Sequence, residues 1–214
     1  MYVFLLIIVP LVYFVTEYIC HERKIDREHA FCIFWGFVIA CIYCLIDFFA
    51  VGVSHEWVNS PSVVWGHYLI TETILPVFVC FIPVIAARDS IRVKIKYLFP
   101  ILAAFMTVFL PYKVMTSSVS PDFFGMILYP LMMAAMLFNV DTGITLFDSD
   151  ADMKNLLWLR CVIAFFAVAS GLLLPSVFQA FYYLKLADAG TYILIAVYVL
   201  GSAGFRTLEK FFLS

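Results

Sequence analysis

The sequence predicts an all-α fold: a polytopic transmembrane bundle of about seven spans, with its N-terminus outside and its C-terminus cytoplasmic. Three observations lead there. Of the 214 residues, 65% are hydrophobic and only 13% charged, whereas soluble domains are roughly half apolar and about a quarter charged. The apolar residues gather into continuous runs, and a hydrocarbon core of ~30 Å takes about 20 residues of helix to cross. Lysine and arginine concentrate in alternate connections between those runs, which sets an orientation. A water-soluble chain of this length could not hide so much apolar surface. The formal net charge of −2 points away from nucleic acid. The expected partners are the lipid bilayer and, in one reading below, other membrane subunits. The chain reads as a single integral membrane domain, 1–214, expected in the cell (inner) membrane.

The first run, 2–20, has no basic residue ahead of Tyr2-Val3-Phe4-Leu5 and no small-x-small site before Cys20. It therefore reads as a retained helix rather than a signal peptide. The others are 31–53, 67–87, 97–115, 123–146, 156–184 and 191–206. They are unbroken and lack strict alternation, which excludes a closed barrel. The first turn carries Arg23, Lys24 and Arg27, and the third Arg88, Arg92, Lys94 and Lys96. The fifth has Lys154 with Arg160 just beyond, and the C-terminus Arg206 and Lys210. The second has none, the fourth only Lys113 at its edge, and the sixth only Lys185. Odd turns and the C-terminus are thus assigned to the cytoplasm, which requires an odd number of spans. Within 97–146, Pro100, Pro111 and Pro130 leave room for shorter or broken helices. Trp57 and Trp65 are expected at the outer boundary, Trp35 and Trp158 at the inner one. Gly36 with Ala40, Ala167 with Gly171, and Gly201-Ser202-Ala203-Gly204 are expected to let helix backbones approach closely.

Ionisable groups inside a span cost a few kcal/mol each on insertion scales, roughly 2.5–3.5 for aspartate at the centre, so each asks for a reason. Asp47 and Glu72 fall at matching depth in successive antiparallel spans, each about five residues, or ~7 Å, outward of the midpoint. If they face one another, like-charge proximity in a low dielectric makes a proton or cation site. His55, Glu56 and His67 lie between them, and Thr71 and Thr73 flank Glu72. These side chains suit acid–base chemistry but show no metal-ligand spacing such as His-Glu-x-x-His, and no metal or other cofactor is assigned. The bland alternative is that both histidines are interfacial and both acids bond nearby hydroxyls or indoles. Gln179, near Pro175, either lines a cavity or bonds a carbonyl that the proline frees. Nearer the inner face, Glu17, Asp141 and Arg160 are expected to form a structural ion pair, with Arg160 also able to snorkel.

Other motifs carry less. Asp141-Thr142-Gly143 spells an aspartic-protease triplet, but no second copy exists to share the proton. Cys41-Ile42-Tyr43-Cys44 lies mid-helix without the cationic neighbours that stabilise a thiolate. Asp148-Ser149-Asp150-Ala151-Asp152 begins like a calcium loop, but Met153 and Leu159 replace its glycine and terminal glutamate. The six cysteines are scattered through apolar runs, unlike a secreted disulfide framework. The reading that results is a small-molecule or ion transporter, or its membrane subunit, with a carboxylate site near the outer face. The rivals are a membrane enzyme acting on a lipid or lipid-linked substrate through Asp47, Glu72 and His67, and a structural subunit of a membrane complex.

Overall fold

A computed structural model describes residues 2–15, 27–50, 60–86, 97–116, 122–148 and 157–213. Among these every regular element is helical. The elements are α1 (Tyr2–Phe14), α2 (Arg27–Ala50), α3 (Pro61–Tyr68), α4 (Leu75–Ala86), α5 (Leu98–Met115), α6 (Tyr129–Asp148), α7 (Leu157–Tyr183) and α8 (Ala189–Leu213). A π-helical stretch, Leu69–Ile74, joins α3 to α4 without a break, and a second, Phe124–Leu128, leads into α6. Five of the resulting rods are long and apolar enough to cross a membrane: Arg27–Phe49, Pro61–Ile85, Leu98–Met115, Phe124–Phe147 and Leu157–Tyr183. The described part of α1 is 13 residues long, and the apolar part of α8 is Ala189–Phe205. Both fall short of the length that defines the other five. Large apolar side chains such as Phe49, Phe78, Phe165, Ile193 and Leu200 are exposed, as expected of helix faces turned to lipid.

Both π-helical stretches have a sequence cause. Each precedes a proline: Pro76 follows Leu69–Ile74, and Pro130 follows Phe124–Leu128. Proline has no N–H for the carbonyl four residues back and its ring crowds that carbonyl. Widening the turn to i→i+5 bonding relieves the conflict. Leu75 N–H accordingly bonds the Ile70 carbonyl, and Tyr129 N–H the Phe124 carbonyl. Thr71 and Thr73 donate their hydroxyls to the carbonyls of His67 (2.8 Å) and Leu69 (2.6 Å), a back-bond of the kind that bends helices. The prolines in 97–146 thus break neither helix. The two rods here are the most buried of the five and the lowest in mean hydropathy, because surface that meets protein need not be as apolar as surface that meets lipid.

The rod Pro61–Ile85, third along the chain when α1 is counted first and called the third rod below, begins earlier than its apolar run suggested. Ser60 is extended and Pro61 stands at the first helical position, where its fixed φ and missing N–H do no harm. His67 therefore lies within a helix, half-buried. The rod Phe124–Phe147 is capped by Asp122, whose Oδ1 accepts the Gly125 N–H at 3.0 Å. At the end of α7, Lys185 has φ 56°, Leu186 N–H bonds the Phe181 carbonyl and Lys185 N–H the Tyr182 carbonyl. This is a Schellman turn with lysine at the left-handed position usually held by glycine. Asp188 then caps α8: its Oδ1 accepts the Thr191 N–H at 2.9 Å and the Thr191 hydroxyl at 3.1 Å.

The helices group into two compact units: Met1–Val58 with Pro76–Ala134, and Asn59–Leu75 with Ala135–Ser214. In the first, α1 and α2 pack on α5. His29 meets Tyr97, Gly36 meets Ile101 and Ala104, Tyr43 meets Phe105 and Phe109, and Asp47 meets Tyr112 and Lys113. Both series ascend, so α2 and α5 run parallel. A Cβ on Gly36 would lie 2.4 Å from the Ile101 carbonyl oxygen, so this approach requires glycine, and Ala40 one turn on is fully buried.

In the second unit, Gly143 abuts the Ala164 carbonyl and Val168, while Gly171 abuts Asn139 and Met136. One series ascends as the other descends, so α6 and α7 are antiparallel, and Ala167 is fully buried. The last small-residue group behaves otherwise. Nothing lies within 4 Å of a Cβ built on Gly201 or Gly204, so those glycines seat no helix among the described residues.

Candidate functional site

Each unit holds a polar constellation among its described residues. In the first, Asp47 projects from the last turn of α2 and accepts two hydrogen bonds at a single oxygen. Tyr112 hydroxyl donates to Oδ2 at 2.9 Å and Lys113 Nζ donates to it at 3.0 Å. The Lys113 side chain is 4% exposed and that of Asp47 10%. The ammonium also lies 5.3 Å from the centre of the Phe109 ring and 5.8 Å from that of Tyr112, within cation–π range. The sequence had placed Lys113 at the edge of a turn; the structure buries it inside α5 as the counter-ion of Asp47. An ion pair enters hydrocarbon surroundings far more easily than either lone charge. The parallel register of α2 and α5 creates this pair, and register is not readable from either helix alone.

The second constellation lies where the third rod packs on α7. Trp65 Nε1–H donates to Ser176 Oγ at 3.0 Å, and that hydroxyl donates in turn to the Leu173 carbonyl at 2.7 Å. Val64 and Tyr68 pack with Ala180 and Leu184, and the Tyr68 and Tyr183 rings meet at 6.1 Å and 64°. Glu72, one turn beyond Tyr68 in the widened stretch, is 1% exposed and lies within electrostatic reach of the Tyr68 phenol. On α7, Gln179 stands between Ser176 and Tyr183 at helical spacing. It is 3% exposed, and among the described residues neither its Oε1 nor its Nε2 has a hydrogen-bond partner. His67 stacks edge-on against Tyr68 at 5.6 Å.

Of the residues singled out from the sequence, the third rod and α7 therefore carry Glu72, His67 and Gln179 onto packed helices of one unit. Asp47 belongs to the other unit, with Tyr112 and Lys113 around it. Asp141 is half-buried in α6, and Arg160 is buried in the first turn of α7. His55 and Glu17 lie outside the described residues, as do Glu56 and Trp57. Tyr68 and Tyr183 drew no notice in the sequence; their signal was helical spacing from Glu72 and Gln179. Deeper in the second unit, Asn139 Nδ2 reaches Ser170 Oγ at 3.5 Å, and the Asn139 side chain also lies beside the buried Tyr198 hydroxyl. Among the described residues no group of three or more His, Cys, Asp or Glu side chains could hold a metal ion.

Helices of this length and hydropathy, with apolar faces outward and polar groups held inside, define the class: a helical integral membrane protein. Comparison with protein-family models, with curated proteins and with solved structures finds no match for the chain.

Proposed function

We propose that this chain is a small polytopic transporter, or the membrane subunit of one, with seven crossings, N-terminus outside and C-terminus cytoplasmic, in the cell (inner) membrane. The observation that carries it is Glu72, a carboxylate buried at a proline-induced wide turn and packed towards a helix whose Gln179 amide is unmet. Buried ionisable groups in spans mark ion and substrate pathways by default, and wide turns recur at functional sites. Glu72, Gln179 and His67 form one candidate site, and Asp47, in the other unit, is a second.

Seven crossings are supported by the five long rods together with α1 and α8. The parallel α2–α5 pair and the antiparallel α6–α7 pair fit rods that cross in alternating directions, and the lysine and arginine distribution sets the hand. Flux into proteoliposomes tests the reading. Glu72→Gln and Asp47→Asn are expected to lower proton- or cation-coupled uptake at least about tenfold, a change worth ~1.4 kcal/mol. Wild-type uptake in both variants would remove the two acids from the mechanism.

A further inference from the structure

The chain changes unit three times: between Val58 and Asn59, between Leu75 and Pro76, and between Ala134 and Ala135. The first change lies outside the described residues. The other two fall inside continuous rods, Pro61–Ile85 and Phe124–Phe147, and each follows one of the widened turns. Pro76 is the first residue of its new unit, and Ala135 stands just over one turn beyond Pro130. Each widened turn is also gripped by its own unit: Leu69–Ile74 packs on α7, and Phe124–Leu128 packs on α1. Other prolines lack this placement. Pro83, Pro111 and Pro175 lie within regular α-helix, away from any change of unit.

A regular α-helix running from one unit into the next would couple them stiffly, since i→i−4 bonds brace every turn. Pro76 and Pro130 supply no N–H, and the five-residue span of the Leu75 and Tyr129 bonds loosens the ladder at the same places. Helices kink at such prolines and wide turns, and a hinge is a few residues that absorb the dihedral change between bodies that stay rigid. Tight packing is present on both sides, with Gly36 against Ile101 in one unit and Gly143 against Ala164 and Val168 in the other. We propose that 69–76 and 124–130 are paired hinges on which the two units turn as rigid bodies. In the transporter reading such rocking opens a site to the two sides of the membrane in turn. The hinges belong to the fold, however, and are tested without flux.

Nitroxides are attached through a ketone-bearing amino acid, which leaves the native cysteines untouched. Distances are read by double electron–electron resonance on the full chain in lipid nanodiscs. Four exposed sites serve: Phe34 on α2 and Met115 on α5 in one unit, Phe166 on α7 and Val197 on α8 in the other. Labels within a unit, Phe34 with Met115 and Phe166 with Val197, are expected to give one narrow distance. Labels across units, Phe34 with Val197 and Met115 with Phe166, are expected to give two populations about 5 Å apart, the travel of a ~20° bend over a half-rod of ~15 Å. Pro76→Ala together with Pro130→Ala restores both N–H groups and should merge the two populations. Pro83→Ala together with Pro175→Ala should leave them separate. One narrow cross-unit distance in wild type overturns the proposal without any proline substitution. So do two populations that persist in the folded Pro76→Ala, Pro130→Ala variant. Two populations without flux would remove transport and leave the hinges; flux with a single distance would remove the hinges and leave transport.

Discussion

Lys113 and Asp47 show how a single residue's role depends on what faces it. Asp47→Ala leaves a buried ammonium without its carboxylate, an expected loss of about 3–5 kcal/mol. Combining it with Lys113→Met should recover most of that, because an apolar pair replaces a buried ion pair at little cost. Equilibrium unfolding in mixed micelles measures the cycle, and simple additivity of the two single losses would show that the pair is uncoupled. Asp188 lies outside the spans, and its carboxyl is held below the ordinary aspartate range, chiefly by the Thr191 N–H and then by the Thr191 hydroxyl. A depressed folded-state value means that the cap contributes fully above the unfolded aspartate value and fades as pH falls through the folded one. Melting temperature should therefore decline at acid pH with a slope that is shallower in Asp188→Asn, which keeps an acceptor oxygen but does not titrate. An identical slope in the two proteins would show that the cap titration does not contribute.

At the scale of helices, glycine position decides what a methyl group does. Gly36→Ala drives a Cβ into the Ile101 carbonyl, and Gly143→Ala drives one to 2.8 Å from the Ala164 carbonyl. Backbone cannot yield cheaply, so each substitution is expected to destabilise by about 1–3 kcal/mol. Gly201→Ala meets open space and is expected to be neutral or to stabilise by about 0.5–1 kcal/mol through helix propensity. Unfolding of the three variants side by side checks the ranking; equal effects would mean that the helix contacts are not as described. The apolar runs and bounding charges revealed these helices because 20 apolar residues have few other fates. The widened turns were not foreseen, although Pro76 and Pro130 were visible, because a proline in a span can equally kink a helix or leave it straight.

For the whole molecule, seven crossings predict that a reporter fused to the C-terminus reports cytoplasm and one fused ahead of α1 reports the outside. A reporter in the 87–96 connection should match the C-terminal one. Any of the three on the opposite side would overturn the topology proposed here. Membrane residence was legible in composition, and most rod boundaries in the charged turns. The candidate site was legible only in part. Glu72 and Gln179 stood out because polar groups are rare in such runs, whereas Tyr68 and Tyr183 were hidden among 12 tyrosines that composition treats alike.

Sequence by itself determined the solvent, the helical class and the identity of the buried acids, because hydropathy and backbone hydrogen bonding in lipid act on each run locally. Tertiary structure alone decided that Asp47 answers to Lys113, that Tyr68 meets Tyr183 and that the buried Gln179 amide finds no hydrogen-bond partner among the described residues. Those facts depend on register and rotation between helices far apart in the chain. Packing of side chains such as Gly36 and Gly143 fixes that geometry, and no single run encodes it.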